Sequence, residues 1–178
     1  AAIGGNSGDW SLHYKLIANI DLAAFTEAND GTQWIPIGTS AIPFSGSFDG
    51  NSKTISNLTY NDNTRDYLGV FGYIKGGGAE IKNLILTGLN LIGKSYVGGL
   101  VGRIQFGRVI NVDVNGSIGG VSAIGGVAGH LETGLIGDSH SNASVTGSNL
   151  YIGGIVGFVE RAYIMNSYNS GTVQGVSE

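Results

Sequence analysis

The stretch Gly88-Leu89-Asn90-Leu91-Ile92-Gly93-Lys94-Ser95 fits the pattern G-x-x-x-x-G-K-[ST], in which backbone N–H groups and a lysine cradle nucleotide phosphates. That chemistry needs a helix directly afterwards, so that its N-terminus faces the anion. The next residues are Tyr96-Val97-Gly98-Gly99-Leu100-Val101-Gly102, too rich in Gly and β-branched residues to start one. The match is accidental. Three histidines, His13, His130 and His140, show no metal-ligand spacing, and no H-E-x-x-H is present. His130 shares its place in the repeat with Arg103 and Phe158, and His140 shares one with Asp113 and Tyr168, so both are expected on solvent-facing positions. A sugar-cleaving site would need two carboxylates ~5–9.5 Å apart, or carboxylates holding Ca²⁺ beside a base. Asp113 and Asp138 occupy different positions of consecutive repeats, while Asp49, Asp62 and Asp66 stand in turn contexts. Asp49-Gly50-Asn51 has cation-ligand types, but a plain turn is the favoured reading. The expectation is no catalytic residue, no cofactor and no metal.

Tyrosine is the residue type with a better case. Tyr67, Tyr96 and Tyr151 precede a recurrent glycine bend in three of four repeats, with Ala123 in the other. An aromatic column on one face would stack on sugar rings or on a partner protein. It would serve equally as a packing stripe over a bend, which is the plainer reading. Thr59, Thr87, Thr133, Thr146 and Thr172 fall at scattered offsets and form no flat array of the kind that binds ice.

These residues must be positioned by a repeat. Val97-Gly98-Gly99-Leu100-Val101-Gly102 returns as Ile124-Gly125-Gly126-Val127-Ala128-Gly129 and as Ile152-Gly153-Gly154-Ile155-Val156-Gly157, after 27 (97 to 124) and 28 (124 to 152) residues. A looser copy is Tyr67-Leu68-Gly69-Val70-Phe71-Gly72. A second column reads Ile55-x-Asn57, Ile81-x-Asn83, Val109-x-Asn111, Ile136-x-Asp138, Ile164-x-Asn166. A fixed period of this length marks a solenoid, propeller or array. β-Branched residues two places before an amide or carboxylate predict stacked parallel coils of about 27 residues. In them, each apolar residue lies on its counterpart ~4.8 Å away. Asn57, Asn83, Asn111, Asp138 and Asn166 are then expected to form a buried side-chain ladder. Asp138 lacks a donor there, making it a weak point or a place where Ser139 substitutes. The Gly-Gly pairs are expected to supply positive φ or close backbone approach at bends.

The outer limits are set by composition. The chain has 178 residues, of which 42% are hydrophobic and only 12% charged, with 32 Gly, two Pro and no Cys. The surface is therefore covered by Ser, Thr, Asn and Gly, and disulfide or thiolate chemistry is excluded. A net charge of −4 without a basic run gives nucleic acid no electrostatic purchase. No apolar run is long enough to span a membrane as a helix. Residues 1–43 are the least regular and read as an N-terminal coil or cap, including Ala23 to Ala28, with helical leanings, and the turn Asn29-Asp30-Gly31. Residues 44–178 hold the regular repeats, in one solenoid domain expected to belong to a longer array. Gly175-Val176-Ser177-Glu178 stands in repeat register, so further repeats or another chain are expected beyond it.

The segment Phe44–Leu58 (FSGSFDGNSKTISNL), with the Gly-Gly-Leu-Val-Gly repeats after it, resembles the GLUG-repeat proteins of bacteria. The preceding YKLIANIDL and WIPIG match their usual lead-in. Those proteins are large, secreted or surface-displayed and often adhesin-like, and similar repeats accompany some immunoglobulin A-cleaving metallopeptidases. The resemblance implies a right-handed parallel β-helix at the bacterial surface. It implies no single activity. The expectation is thus an all-β, non-enzymatic structural or adhesive segment whose partner is a glycan or a neighbouring surface protein. Two rivals are a polysaccharide-binding or polysaccharide-cleaving β-helix and a subunit of an end-to-end filament.

Overall fold

A computed structural model of the chain describes residues 7–23 and 34–175. Among these residues all regular structure is strand, apart from one 3₁₀ turn at Ser7–Asp9. Residues 24–33, with most of the helical leaning and turn expected near the N-terminus, lie outside the described residues, as do 1–6 and 176–178. The strands pair in parallel and build three sheets of 12, three and four strands. The broad sheet runs through Ser47–Ser56, Glu80–Ile92 and Arg108–Gly120, each stacked on the next. The narrow sheets are Ser95–Gly98, Ser122–Gly125 and Ile152–Gly153, then Phe71–Lys75, Val101–Gln105, Ala128–Glu132 and Val156–Glu160. This is a parallel β-solenoid.

The core is a set of columns, because the coil spacing brings like onto like. Phe48, Ile81, Val109 and Ile136 are register partners in sequence and are buried. So are Ile74, Ile104 and Leu131 on a narrow sheet. Full burial of each such side chain stabilises the fold by about 1.5–3 kcal/mol. His13–Lys15 and Ile20–Asp21 stack on Ser47–Ser56 and continue the coil pattern into the N-terminal residues.

The corners are made by left-handed residues, and glycine is not the usual choice. One corner column has φ of 58° at Tyr67, 58° at Tyr96, 57° at Ala123 and 66° at Tyr151. Another holds Phe106, Thr133 and Arg161, and a third holds Asn83, Asn111, Asp138 and Asn166, all at φ of 48–62°. The expected positive φ at the Gly-Gly pairs is therefore corrected: it falls at the preceding tyrosine. The glycines are needed for close approach. A Cβ on Gly125 would lie 2.1 Å from the Ala128 carbonyl oxygen and 2.7 Å from the Gly157 nitrogen.

A candidate recognition face along one corner

The five residues expected as one ladder are not brought together as one. Ile81 pairs with Phe48, whereas Ile55 pairs with Leu86 and Ser56 with Thr87. Asn57 therefore lies beside Gly88, one bend further on, and its amide donates to Asp21 (2.9 Å). Spacing alone assigns it to the wrong column because Ile55-x-Asn57 copies the local pattern of a different corner. Asp49, on the strand, takes the ladder place next to Asn83. From there the bonds run Asn83 to Asp49 (3.1 Å) and Asn111 to Asn83 (2.8 Å), then separately Asn166 to Asp138 (3.0 Å). Asn111, Asp138 and Asn166 are exposed, so burial of the ladder is corrected too. An αL residue at an outer corner turns its side chain away from the core. Beside Asp138 the buried Ser139 hydroxyl accepts from the Val112 N–H (3.2 Å) and donates to the Gly137 carbonyl (2.8 Å), linking the two coils there.

The tyrosines do gather, and with partners that their spacing does not indicate. Tyr67 and Tyr96 stack with ring centroids 5.0 Å apart and 7° between planes. Tyr67 also stacks on Tyr73 at 6.1 Å. Beyond Tyr96 the line would break, since Ala123 occupies the next corner. It turns inward instead, to His130 at 5.7 Å, then to Phe158 at 4.8 Å, and returns to Tyr151 at 4.7 Å from Phe158. His130 and Phe158 share a column with Tyr73 and Arg103, so two neighbouring columns merge into one aromatic stripe.

His130 is thus only 6% exposed and not solvent-facing as its varied column suggested. It lies between the rings of Tyr96 and Phe158. Neither ring nitrogen has a hydrogen-bond partner, and burial, then the Arg103 guanidinium, holds its pKa below the ordinary 6.5. His140, on the opposite sheet, pairs with Asp113 (2.9 Å) at the surface.

Polar groups border the stripe. Arg103 pairs with Glu132 and lies 5.2 Å over the Tyr73 ring, while Gln105 donates to Glu132 (3.1 Å) and accepts from the Tyr73 hydroxyl (2.6 Å). The hydrogen bond from Arg103 is the main reason the Glu132 carboxyl titrates below its ordinary range. At the Ala123 corner a depression of about 230 Å³ stays open, with Tyr96, Tyr151 and Phe158 around it and Asp66, Lys94 and the hydroxyls of Ser95 and Ser122 at its rim. The Lys94-Ser95 end of the phosphate-loop look-alike therefore sits here, but the stretch is strand through Ile92 and strand again from Ser95 to Gly98, with no helix to face an anion. Among the described residues no three His, Cys, Asp or Glu cluster as metal ligands, and no helix is long and apolar enough to cross a membrane.

Parallel coils, corner columns and an aromatic side face define the class as a β-solenoid of stacked short repeats. The chain carries GLUG repeats: the family model described as the GLUG motif matches residues 93–119 and 148–174. It is 35% identical over 126 residues to Halomucin of Haloquadratum walsbyi, across 67% of this chain and 1% of that protein. It is 36% identical over 105 residues to a provisionally named Gly-rich membrane protein of Evansella cellulosilytica, across 57% of this chain and 12% of the relative. The chain thus spans a small part of either relative's length. A crystal structure provisionally assigned as an immunoglobulin A1 protease from Bacteroides ovatus superposes with a TM-score of 0.73 over 92% of this chain and 51% of that one. At 23% identity that likeness concerns the fold alone.

Proposed function

We infer that the chain is a non-enzymatic structural segment of a secreted or surface-displayed protein, and that its aromatic side face serves adhesion. The observation that carries this reading is the aromatic stripe along one side of the solenoid, in which Tyr67, Tyr96, Phe158 and Tyr151 reach the surface and Tyr73 and His130 are buried among them. Left-handed corners favour Gly, and a β-branched or bulky residue there is an outlier. A chain with 32 Gly nonetheless places Tyr at three of these four corners, which supports a use for the rings beyond turning the chain. A surface location is supported by the names of the two relatives, one a mucin by name and one a membrane protein. Tyr163, Ile164 and Met165 are exposed on the last described strand of the broad sheet's main path, which supports a further coil, from this chain or another, as a partner there.

The test is adhesion of beads coated with the chain to a glycan array and to bacterial or host cell surfaces. The wild type should be retained, and a Tyr67→Ser/Tyr96→Ser/Tyr151→Ser variant should lose retention. Equal retention by the variant would remove the face from the account. New reducing ends released from the glycans by the wild type would reject the non-enzymatic reading.

A further inference from the structure

The aromatic stripe opens at the Ala123 corner, and the chemistry there is specific. Tyr67 and Tyr96 cover each other's faces at 5.0 Å, so nothing inserts between them. At the Ala123 corner the side chain ends at Cβ, while the rings of the coils on either side, Tyr96 and Tyr151, remain. His130 is buried between the rings of Tyr96 and Phe158 and does not line the opening. The opening is the depression of about 230 Å³, smaller than the ~300–1,000 Å³ of sites for drug-sized ligands. It suits one small ring.

We propose that this notch binds a single pyranose ring of a surface polysaccharide. The proposal rests on the reading of the stripe as an adhesive face and names what that face takes. A pyranose has an apolar C–H face and a belt of hydroxyls, and the notch offers a counterpart to each. Tyr96, Tyr151 and Phe158 present aromatic surface to the C–H face. At the rim, Asp66 uses Oδ1 to accept the Ser95 N–H (3.1 Å), which fixes the carboxylate and leaves Oδ2 for a sugar hydroxyl. Lys94 is exposed and has no ion-pair partner among the described residues, so its ammonium is available to donate. Ser95 and Ser122 are register partners on adjacent coils and add two hydroxyls side by side. An acid and an ammonium together favour a neutral ring with neighbouring hydroxyls over a bare anion, since Asp66 repels the latter.

The experiment is saturation-transfer NMR with methyl pyranosides of glucose, galactose, mannose and N-acetylglucosamine and their short oligomers, on wild type and two variants. Ala123→Tyr places a ring in the notch at a corner whose equivalents already carry Tyr at the same φ, so the fold should persist, as circular dichroism will verify. Lys94→Ala removes one rim donor on an exposed side chain. The wild type should bind at least one pyranoside with roughly millimolar affinity. Ala123→Tyr should weaken it by about tenfold or more, and Lys94→Ala by a few-fold. No saturation transfer to any pyranoside, or unchanged binding by a folded Ala123→Tyr, overturns the proposal. The two readings fail separately. If Ala123→Tyr keeps full bead adhesion while the triple Tyr variant loses it, the adhesive face stands and the notch does not.

Discussion

Asn111 and His130 show how one residue's role depends on the neighbouring coils. Asn111 is exposed, sits at φ 56° and donates to Asn83. Asn111→Ala should therefore cost about 1–2 kcal/mol for the left-handed backbone and about 0.5–1.5 kcal/mol for the lost bond. Asn111→Gly removes the first cost and should be clearly milder, while Asn115→Ala, on an exposed strand position, should be nearly neutral. Chemical denaturation of the three variants checks this order, and equal losses for Ala and Gly at position 111 would mean that the corner does not select for backbone. His130 makes a pH prediction. Its folded pKa lies below 6.5, so the unfolded chain takes up protons first as pH falls. The stability present above pH 6.5 should decline as pH drops toward the folded value and level off below it. His130→Phe, which copies the Phe158 register partner, should abolish that decline without loss at neutral pH. Thermal midpoints between pH 7 and 5 report both.

At the scale of the element, the hexapeptide repeat is a corner and then a tight crossing of backbones. Gly125 is packed so closely against Ala128 and Gly157 that no Cβ fits, whereas a Cβ on Gly77 would meet nothing within 4 Å. Gly125→Ala should cost about 1–3 kcal/mol or more, as overpacking does. Gly77→Ala should be neutral within about 0.5 kcal/mol. Unfolding midpoints that fail to separate the two would place the crossing elsewhere. The same geometry explains Tyr67, Tyr96 and Tyr151, since the residue carrying the bend projects its side chain outward while the glycines after it seat against the next coil.

For the whole molecule, coils contact mainly their neighbours, so stability should be graded along the stack. Glu80–Ile92 and Arg108–Gly120 pair on both sides, and their core columns are closed. Tyr163–Met165 and Val173–Gly175 pair on one side in this chain, and Ile164 and Val173 remain 40% and 46% exposed. Hydrogen exchange should protect the amides of the first pair most and those of the second least. Uniform protection from end to end would mean that the stack unfolds as one unit.

The repeat period, the β-branched columns and the parallel stacking were legible in the sequence, because a solenoid writes its packing as self-similarity: each coil must supply the same shape to the next. The alignment of His130 with Arg103 and Phe158 was legible for the same reason and agrees with the strand register. Which column a residue joins at a bend was not. Asn57 copies the local spacing of Asn83, yet it is Phe48 and not Ile55 that pairs with Ile81, so Asn57 falls one corner on, beside Gly88. The notch was invisible as well. Tyr67, Tyr96 and Tyr151 stand out by spacing, but only packing across coils shows that the ring-free Ala123 corner leaves a depression among Tyr96, Tyr151 and Phe158, while His130 joins the stripe from a neighbouring column. Repetition along the chain specifies contacts between like residues, whereas a site made by unlike residues from several coils exists only once the coils are stacked.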